Sequence, residues 1–166
     1  MITRLHFQKL IILLAAACLF TSCVTTRQVV VRNYDYDKDI SFTIEKIEET
    51  SQIGSWMGGS YVPTKGNVFV AMYVTVKNSS AQKLPLDFKN FYLLDTLTHT
   101  KHKVEFAMLP TKVSMWANRD SDIGANDTKR RRLVFTYPEK RRAEAFAVND
   151  HVYNIEYKDP AKKASN

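Results

Sequence analysis

Hydrophobic and polar residues alternate with a period of two along much of this chain, which is the pattern of β-strands. Apolar residues at positions 40, 42 and 44 alternate with polar residues at 41, 43 and 45, which predicts a half-buried strand. Residues 68–76 carry valine or methionine on one face and mostly apolar residues on the other. A strand that is apolar on both faces is expected at the centre of a fold.

Several further strands are predicted, at residues 91–95, 103–108, 131–137, 143–148 and 152–157. Turn signals separate them, among other places at residues 120–124. Many short strands joined by turns, without a long helical pattern, are typical of an antiparallel β-sandwich. We therefore predict an all-β chain with one sandwich at residues 40–158 and a disordered tail at 159–166.

The first 22 residues have the composition of an export signal. Arg4 and Lys9 make its start positive, and the apolar run at 10–20 is shorter than the ~20 residues that a membrane-spanning helix needs. Two small residues and Cys23 follow, in a pattern that resembles the bacterial lipobox, although Phe20 stands where the lipobox prefers Leu. The resemblance implies cleavage of a signal peptide at 1–22. It also implies that Cys23 carries a diacylglycerol and acyl chains such as palmitate.

Residues 23–39 are predicted to be a lipidated tether. Residues 29–31 have the pattern of a short edge strand, but the polar run YDYDKD that ends at Asp39 is expected to be solvated. Several acyl chains on Cys23 would hold the protein firmly on a membrane. No acidic run follows the cysteine, so we expect a periplasm-facing position in the cell envelope.

The positive charge of the chain is concentrated in one segment. The net charge of +7 falls to +5 (22 basic minus 17 acidic residues) without Arg4 and Lys9. One predicted hairpin carries seven cations around Glu139, here called the basic band, namely Lys129, Arg130, Arg131, Arg132, Lys140, Arg141 and Arg142. We expect this band to bind anionic lipid headgroups, lipopolysaccharide or an acidic protein, but no nucleic acid. The alternative is that its charges only protect an exposed strand edge from pairing.

A glycine-rich segment at residues 49–66 predicts a long loop or an irregular edge. It contains three large side chains, Trp56, Met57 and Tyr61. Two interpretations remain open: these side chains form a contact surface for a partner, or they fold back as a lid over an open end of the sandwich.

The chain lacks the motifs of common catalytic and metal sites. It has no nucleophile elbow, phosphate-binding loop or zinc-protease motif, and both cysteines, Cys18 and Cys23, lie in or next to the signal. Three groups of potential ligands have spacings more typical of solvated turns than of metal sites, namely His99 and His102; Asn118, Asp120 and Asp122; and Asp35, Asp37 and Asp39. We expect no enzyme activity, no metal, no cofactor and no disulfide in the exported domain.

Four segments occur in an order that matches a known family. They are a strand at 67–78 that ends in Asn, followed by 86–88, 91–95 and a late strand at 133–138. Together they resemble a family of secreted bacterial immunoglobulin-like domains of unknown function. This family includes the mycobacterial immunoprotective extracellular protein and is sometimes labelled telomeric-repeat-binding-factor-like. The resemblance implies an immunoglobulin-like sandwich and supplies no catalytic residues.

Three functions follow from these features. The leading hypothesis is a lipid-anchored interaction module of the cell envelope, which binds a protein or an anionic envelope component without catalysis. The alternative is a periplasmic lipoprotein that binds a small ligand or a glycan, for which a pocket lined by Trp56 and Tyr61 would be evidence. A hydrolase with an unrecognised site is more remote, because no known catalytic motif is present.

Acylation of Cys23 is directly testable. The Cys23→Ala variant should lose incorporation of a labelled fatty acid and should leave the membrane fraction or accumulate as precursor, because no other cysteine follows the signal. Metabolic labelling and cell fractionation measure both effects, with Ser22→Ala as the control for cleavage. A Cys23→Ala protein that remains labelled and membrane-bound would exclude lipidation at this residue.

Overall fold

In a computed structural model, the chain forms short antiparallel strands joined by turns. The structure describes residues 24–54, 58–111 and 115–158, so the expected signal, the lipidated cysteine, Trp56, Met57 and the tail lie outside the described residues. The strands in the described ranges are β1 (Thr25–Gln28), β2 (Asn33–Asp37), β3 (Ile40–Thr50), β4 (Ile53–Gly54), β5 (Ser60–Tyr61), β6 (Asn67–Asn78), β7 (Leu84–Asp87), β8 (Phe91–Asp95), β9 (Thr100–Lys103), β10 (Phe106–Leu109), β11 (Met115–Trp116), β12 (Asp120–Ile123), β13 (Thr128–Pro138), β14 (Ala145–Val148) and β15 (His151–Asn154).

The larger sheet is built around β6. This strand pairs along its length with β3 on one side and β13 on the other, and β13 pairs with β10, which pairs with β11. β1 and β2 share the outer edge of β3, where each pairs with a different half of that strand. All of these pairs are antiparallel. The predicted central position of residues 68–76 is confirmed.

A second antiparallel sheet, in the order β15-β14-β8-β9, covers one face of the larger sheet. The core lies between the two sheets. Phe42 of the larger sheet contacts Phe91 and Phe146 of the second sheet, with ring centroids 5.2 and 5.9 Å apart. We call this covered side of the larger sheet its inner face and the opposite side its outer face. The predicted all-β antiparallel sandwich is confirmed.

The N-terminal segment differs from the sequence prediction. The expected tether is part of the sandwich from Thr25 onward, because β1 and β2 pair with β3. The side chains of Tyr34 and Tyr36 are buried, whereas Asp35 and Asp37 between and after them are exposed. The polar-looking run is thus a half-buried strand, in which tyrosine provides the apolar face. The prediction of a solvated tether up to Asp39 is wrong for this segment.

Two other predictions need correction. Residues 103–108 are not one strand, because β9 ends at Lys103 in the second sheet and β10 starts at Phe106 in the larger one. The chain changes sheet at the buried Val104 between them. The predicted turn at 120–124 is mostly strand β12, which pairs with β7 as a separate two-stranded sheet.

Strand register aligns the turns at two ends of the sandwich. At the end that we call proximal, Thr25 pairs with Glu49 and Asn67 pairs with Pro138, so the chain enters the first strand there. At the opposite, distal end, the backbone amide of Ser79 donates a 2.9 Å hydrogen bond to the carbonyl of Asp39. The residues of β13 span about 33 Å between these ends, at ~3.3 Å per residue.

Val74 tests the central strand. It is 1 % exposed on the inner face of β6, so Val74→Asp should place an unpaired charge in the core. Such a charge costs several kcal/mol, on the order of the whole ~5–15 kcal/mol stability of a domain. The chain from Val24 onward should therefore unfold, as measured by circular dichroism and thermal denaturation. Lys77→Asp, at an exposed position of the same strand, is the matched control and should fold normally. A cooperatively folded Val74→Asp protein would contradict the central position of β6.

Candidate interaction surfaces

The strand half of the basic band divides between the two faces of the larger sheet. Lys129–Arg132 are consecutive residues of β13, and consecutive side chains of a strand point to opposite sides. Arg130 and Arg132 lie on the outer face, opposite Thr75 and Tyr73 of β6. Lys129 and Arg131 point to the inner side. The four cations therefore do not form one surface.

On the outer face, Arg130 is paired with Glu45 of β3. Its Nη2 and Nε atoms donate hydrogen bonds of 2.5 and 3.1 Å to the two carboxylate oxygens, which is a bidentate geometry. Burial alone would raise the pKa of Glu45, but the hydrogen bonds from Arg130 and Thr75 keep that pKa below its usual value. The charge of Arg130 is thus balanced within the sheet.

Tyr73 organises the neighbouring part of this face. The Arg132 guanidinium lies 5.7 Å from the centre of its ring, and the Lys46 ammonium lies 4.2 Å from that centre. The Tyr73 hydroxyl donates a 2.7 Å hydrogen bond to Glu48. Burial, together with this hydrogen bond, raises the pKa of Tyr73 to about 12. Two cations, one carboxylate and one ring therefore stabilise each other across three strands.

The two cations on the inner side, Lys129 and Arg131, make contacts within the fold. Lys129 donates a 2.6 Å hydrogen bond to the hydroxyl of Ser121 and a further one to the carbonyl of Asp122, both on β12. Arg131 lies 5.8 Å from the ring centre of Phe88. Burial lowers the pKa of both Lys129 and Arg131. The Lys129 contacts hold the small β7–β12 sheet against β13, and Arg131 packs on the segment between β7 and β8.

The turn half of the band lies at the proximal end. Arg131 is seven residues before the last residue of β13, so about 23 Å of strand separates it from the turn. In this turn Arg141 pairs with the buried Asp95, whereas Lys140 and Arg142 are exposed. The Arg142 guanidinium lies 3.6 Å from the ring centre of Tyr157. The seven cations of the basic band therefore do not form one surface, and binding of an anionic partner by the band stays a prediction.

The proximal end gathers more exposed cations than acids. Lys65, which precedes β6, and the turn residues Lys140 and Arg142 are exposed there. The exposed acids Glu139 and Glu144 flank the same turn. Three exposed cations against these two acids leave this surface positive. We call it the proximal cationic surface.

The outer face also carries an aromatic cluster. Ile53, Phe69 and Val134 are buried in a second apolar group on this side of the sheet. Tyr61 packs on it, with its ring centre 5.5 Å from those of Phe106 and Trp116. Both Tyr61 and Trp116 remain just over 40 % exposed, at 41 % and 42 %.

The glycine-rich segment therefore covers a side of the sandwich. Its strands β4 and β5 form a hairpin in which Ile53 pairs with Tyr61, and both side chains contact the outer-face group. Of the three large side chains, the structure describes only Tyr61, which folds back on the outer face rather than over an end of the sandwich. The partial exposure of Tyr61 also leaves it available to a partner.

The possible metal ligands do not converge. His99 lies in the β8–β9 turn with a positive φ of 56°, while His102 packs 4.9 Å from the ring of Tyr137. Asp120 and Asp122 pair with lysines of the adjoining segment. Across the described ranges, no group of three or more His, Cys, Asp or Glu residues is placed to hold a metal ion. In the same residues, no helix has both the length and the apolar character to cross a membrane.

Comparison with protein families gives one assignment. The family described as Domain of unknown function (DUF4352) matches residues 35–159, which is most of the chain and nearly all of the sandwich. The chain belongs to the DUF4352 family. The matched range includes β3, β6 and β13, as well as the residues of the aromatic cluster and of the proximal cationic surface. No match was found among curated proteins.

Three solved structures are similar to this DUF4352 domain. A conserved hypothetical protein from Bacillus anthracis is 15% identical, with a TM-score of 0.59 over 81% of this chain and 97% of that one. An uncharacterised β-sandwich protein from Clostridium difficile 630 is 16% identical, with a TM-score of 0.49 over 80% and 94% of the two chains. A functionally unknown protein from Listeria monocytogenes EGD-e has 13% identity, a TM-score of 0.46, and coverage of 72% and 68%. The first of these similarities supports the fold alone.

Asp95 gives the proximal turn a pH-dependent support. Burial would raise its pKa, but hydrogen bonds from Thr98 and the backbone amide of Leu97, with the charge of Arg141, lower the pKa to about 2. The carboxylate therefore stabilises the fold fully above the ordinary pKa of about 3.9, and this contribution is lost as the pH falls through 2.

The Asp95→Asn variant should unfold at a temperature several degrees below the wild-type protein at neutral pH, because Arg141 loses its partner. The difference should stay constant down to about pH 5 and close between about pH 4 and 2, as measured by thermal denaturation at each pH. Asp150→Asn, at an exposed position, should have little effect. A difference between Asp95→Asn and wild type that is independent of pH would contradict this role.

Proposed function

We propose that this protein is a lipid-anchored interaction module of the cell envelope that faces the periplasm and has no catalytic activity. The export signal and the lipobox-like residues before Cys23 support the anchor. The DUF4352 match and the sandwich fold are compatible with a relation to the secreted immunoglobulin-like domains that the sequence resembles. The proposed first partner is an anionic membrane surface.

The observation that carries this proposal is the place where the chain enters the sandwich. β1 starts at Thr25, two residues after Cys23, and it starts at the proximal end. The proximal cationic surface lies at this same end. A lipid on Cys23 would therefore hold the end with the exposed cations next to the lipid headgroups.

The energetics favour the turn half of the band over the strand half. A basic residue close to an anionic leaflet contributes about 1 kcal/mol, and exposed charges farther away than ~8 Å are screened at physiological ionic strength. Lys140 and Arg142 are exposed at the proximal end, whereas Arg130 already has Glu45 as a partner. We therefore assign membrane binding to the proximal cationic surface.

A second contact region would remain open in this arrangement. The aromatic cluster lies on the outer face of the larger sheet, where Tyr61 and Trp116 are partly exposed. Exposed tyrosine and tryptophan are common anchors in protein interfaces, because they combine a large apolar area with a polar atom. We propose that an envelope protein contacts this cluster while the proximal end rests on the membrane.

Charge reversal tests the membrane contact. The chain from Val24 to Asn166, which contains every described strand, should bind vesicles of phosphatidylglycerol and phosphatidylethanolamine at low salt and dissociate as salt is raised. Lys140→Glu combined with Arg142→Glu should weaken binding at least about 30-fold, because two contacts of ~1 kcal/mol are lost. Co-sedimentation measures the affinity.

The matched control is Lys38→Glu with Lys77→Glu, which changes the net charge equally at exposed positions of the distal end. This control should retain most of the binding, and both double variants should remain cooperatively folded, as measured by thermal denaturation. Equal loss of binding in the two double variants would mean that net charge alone attracts the protein. If the wild-type protein does not bind the vesicles at low salt, an anionic membrane surface is excluded as its partner.

A further inference from the structure

Large apolar side chains are exposed at the proximal end. Seven such residues have more than 40 % of their surface exposed in the described ranges, namely Val24, Val31, Tyr61, Val62, Leu97, Trp116 and Val152. Val24, Val62 and Leu97 belong to the proximal end, and the last two are the most exposed of the set, at 68 % and 77 %. None of the seven lies in the described distal turns at 37–39, 79–83, 124–127 and 149–150.

Hydrogen bonds to Asp95 and to the carbonyl of Leu94 hold the turn that presents Leu97. Asp95 accepts hydrogen bonds from the backbone amides of Leu97 and Thr98, at 3.0 and 3.3 Å, which fixes the turn conformation. Arg141 binds the other oxygen of Asp95, and the Tyr137 hydroxyl donates a 3.2 Å hydrogen bond to the carbonyl of Leu94. The β8–β9 turn is thereby attached to the proximal cationic surface, and its apolar tip points away from the core.

The loop that presents Val62 is attached to the same turn. The backbone amide of Glu139 donates a 3.1 Å hydrogen bond to the carbonyl of Gly66, which joins the loop at 62–66 to the β13–β14 connection. The side-chain amide of Asn67, at the start of β6, donates a 2.9 Å hydrogen bond to the hydroxyl of Thr64 in the loop. Val62 lies two residues before Thr64 in this loop, and the Gly66–Glu139 hydrogen bond places the loop next to the turn that carries Lys140.

The short connection to Cys23 brings both tips close to the anchor. Two residues of fully extended chain reach about 7 Å, so a lipidated Cys23 would keep Thr25 within that distance of the headgroup layer. Moving exposed valine and leucine side chains out of water lowers the free energy, and so does contact between neighbouring cations and lipid phosphates. The proximal end combines both kinds of side chain, which is the chemistry of a surface that lies in a membrane interface.

We infer that Val62 and Leu97 insert between the headgroups of the membrane that holds Cys23, so that the sandwich stands upright on its proximal end. This inference rests on the proposed lipid anchor. It adds a defined orientation, in which Lys65, Lys140 and Arg142 contact the lipid phosphates around the two tips. The distal turns then point away from the bilayer, and the aromatic cluster faces sideways.

A cysteine scan on the lipidated full-length protein tests the orientation. The sequence has only Cys18, in the signal, and Cys23, so an introduced cysteine is the one free thiol after processing. Val62→Cys and Leu97→Cys are compared with the exposed distal positions Lys38→Cys and Ala81→Cys. Each protein carries an environment-sensitive fluorophore and is reconstituted in phosphatidylethanolamine–phosphatidylglycerol vesicles, with and without spin-labelled lipid.

The fluorophores at positions 62 and 97 should shift to shorter wavelength and be quenched by the spin-labelled lipid, while those at 38 and 81 should remain as in water. Mass spectrometry of the acylated N-terminal peptide identifies the anchor separately. Acylated protein with all four probes in water would overturn the orientation and leave the anchor intact. Quenching at positions 38 and 81 instead would reverse the orientation. Protein without an acyl group would refute the anchor and this inference together.

Discussion

The pairing of β6 with both β3 and β13 is the constraint on which the rest of the sandwich depends. β6 is apolar on both faces, so it is stable only where the second sheet covers one side and the β4–β5 hairpin covers part of the other. The register of these pairs also decides which turns become neighbours. The 62–66 loop and the turn after β13 meet because Asn67 is opposite Pro138. Segments that are distant in the chain thereby form one continuous surface at each end.

Much of this architecture could be predicted from the period of the apolar residues, and the failures have identifiable causes. In β2 the buried residues are tyrosines. A sequence that alternates tyrosine with aspartate indicates a solvated segment, unless the tyrosine hydroxyl has a hydrogen-bond partner inside the fold. Tyr36 finds that partner in the backbone of Asp87, which belongs to a distant strand. In β12 the carboxylates of Asp120 and Asp122 imitate a turn, because the lysines that pair with them come from other segments.

The candidate site was predictable only in part. Opposite orientation of Arg130 and Arg131 follows from the two-residue period of any strand, so the division of the basic band was already implicit in its sequence. The identity of the partners was not, because Glu45 and Phe88 are contributed by other strands. The placement of Lys140 at the same end of the sandwich as the start of β1 depends on register across four strands. No local pattern in the sequence reports that placement.

The start of β1 so soon after Cys23 limits where an anchored molecule could act. Because only two residues separate Cys23 from the first strand, an anchored molecule could reach no farther from the membrane than the height of the sandwich plus this connection. The ~33 Å of β13 and the ~7 Å connection give a reach of about 40 Å. A partner would then have to approach the membrane, because the module could not extend toward a distant wall layer. The distance of a partner from the bilayer would therefore decide, as much as its surface chemistry, whether it can bind. The rigid strands would act as a spacer of fixed length.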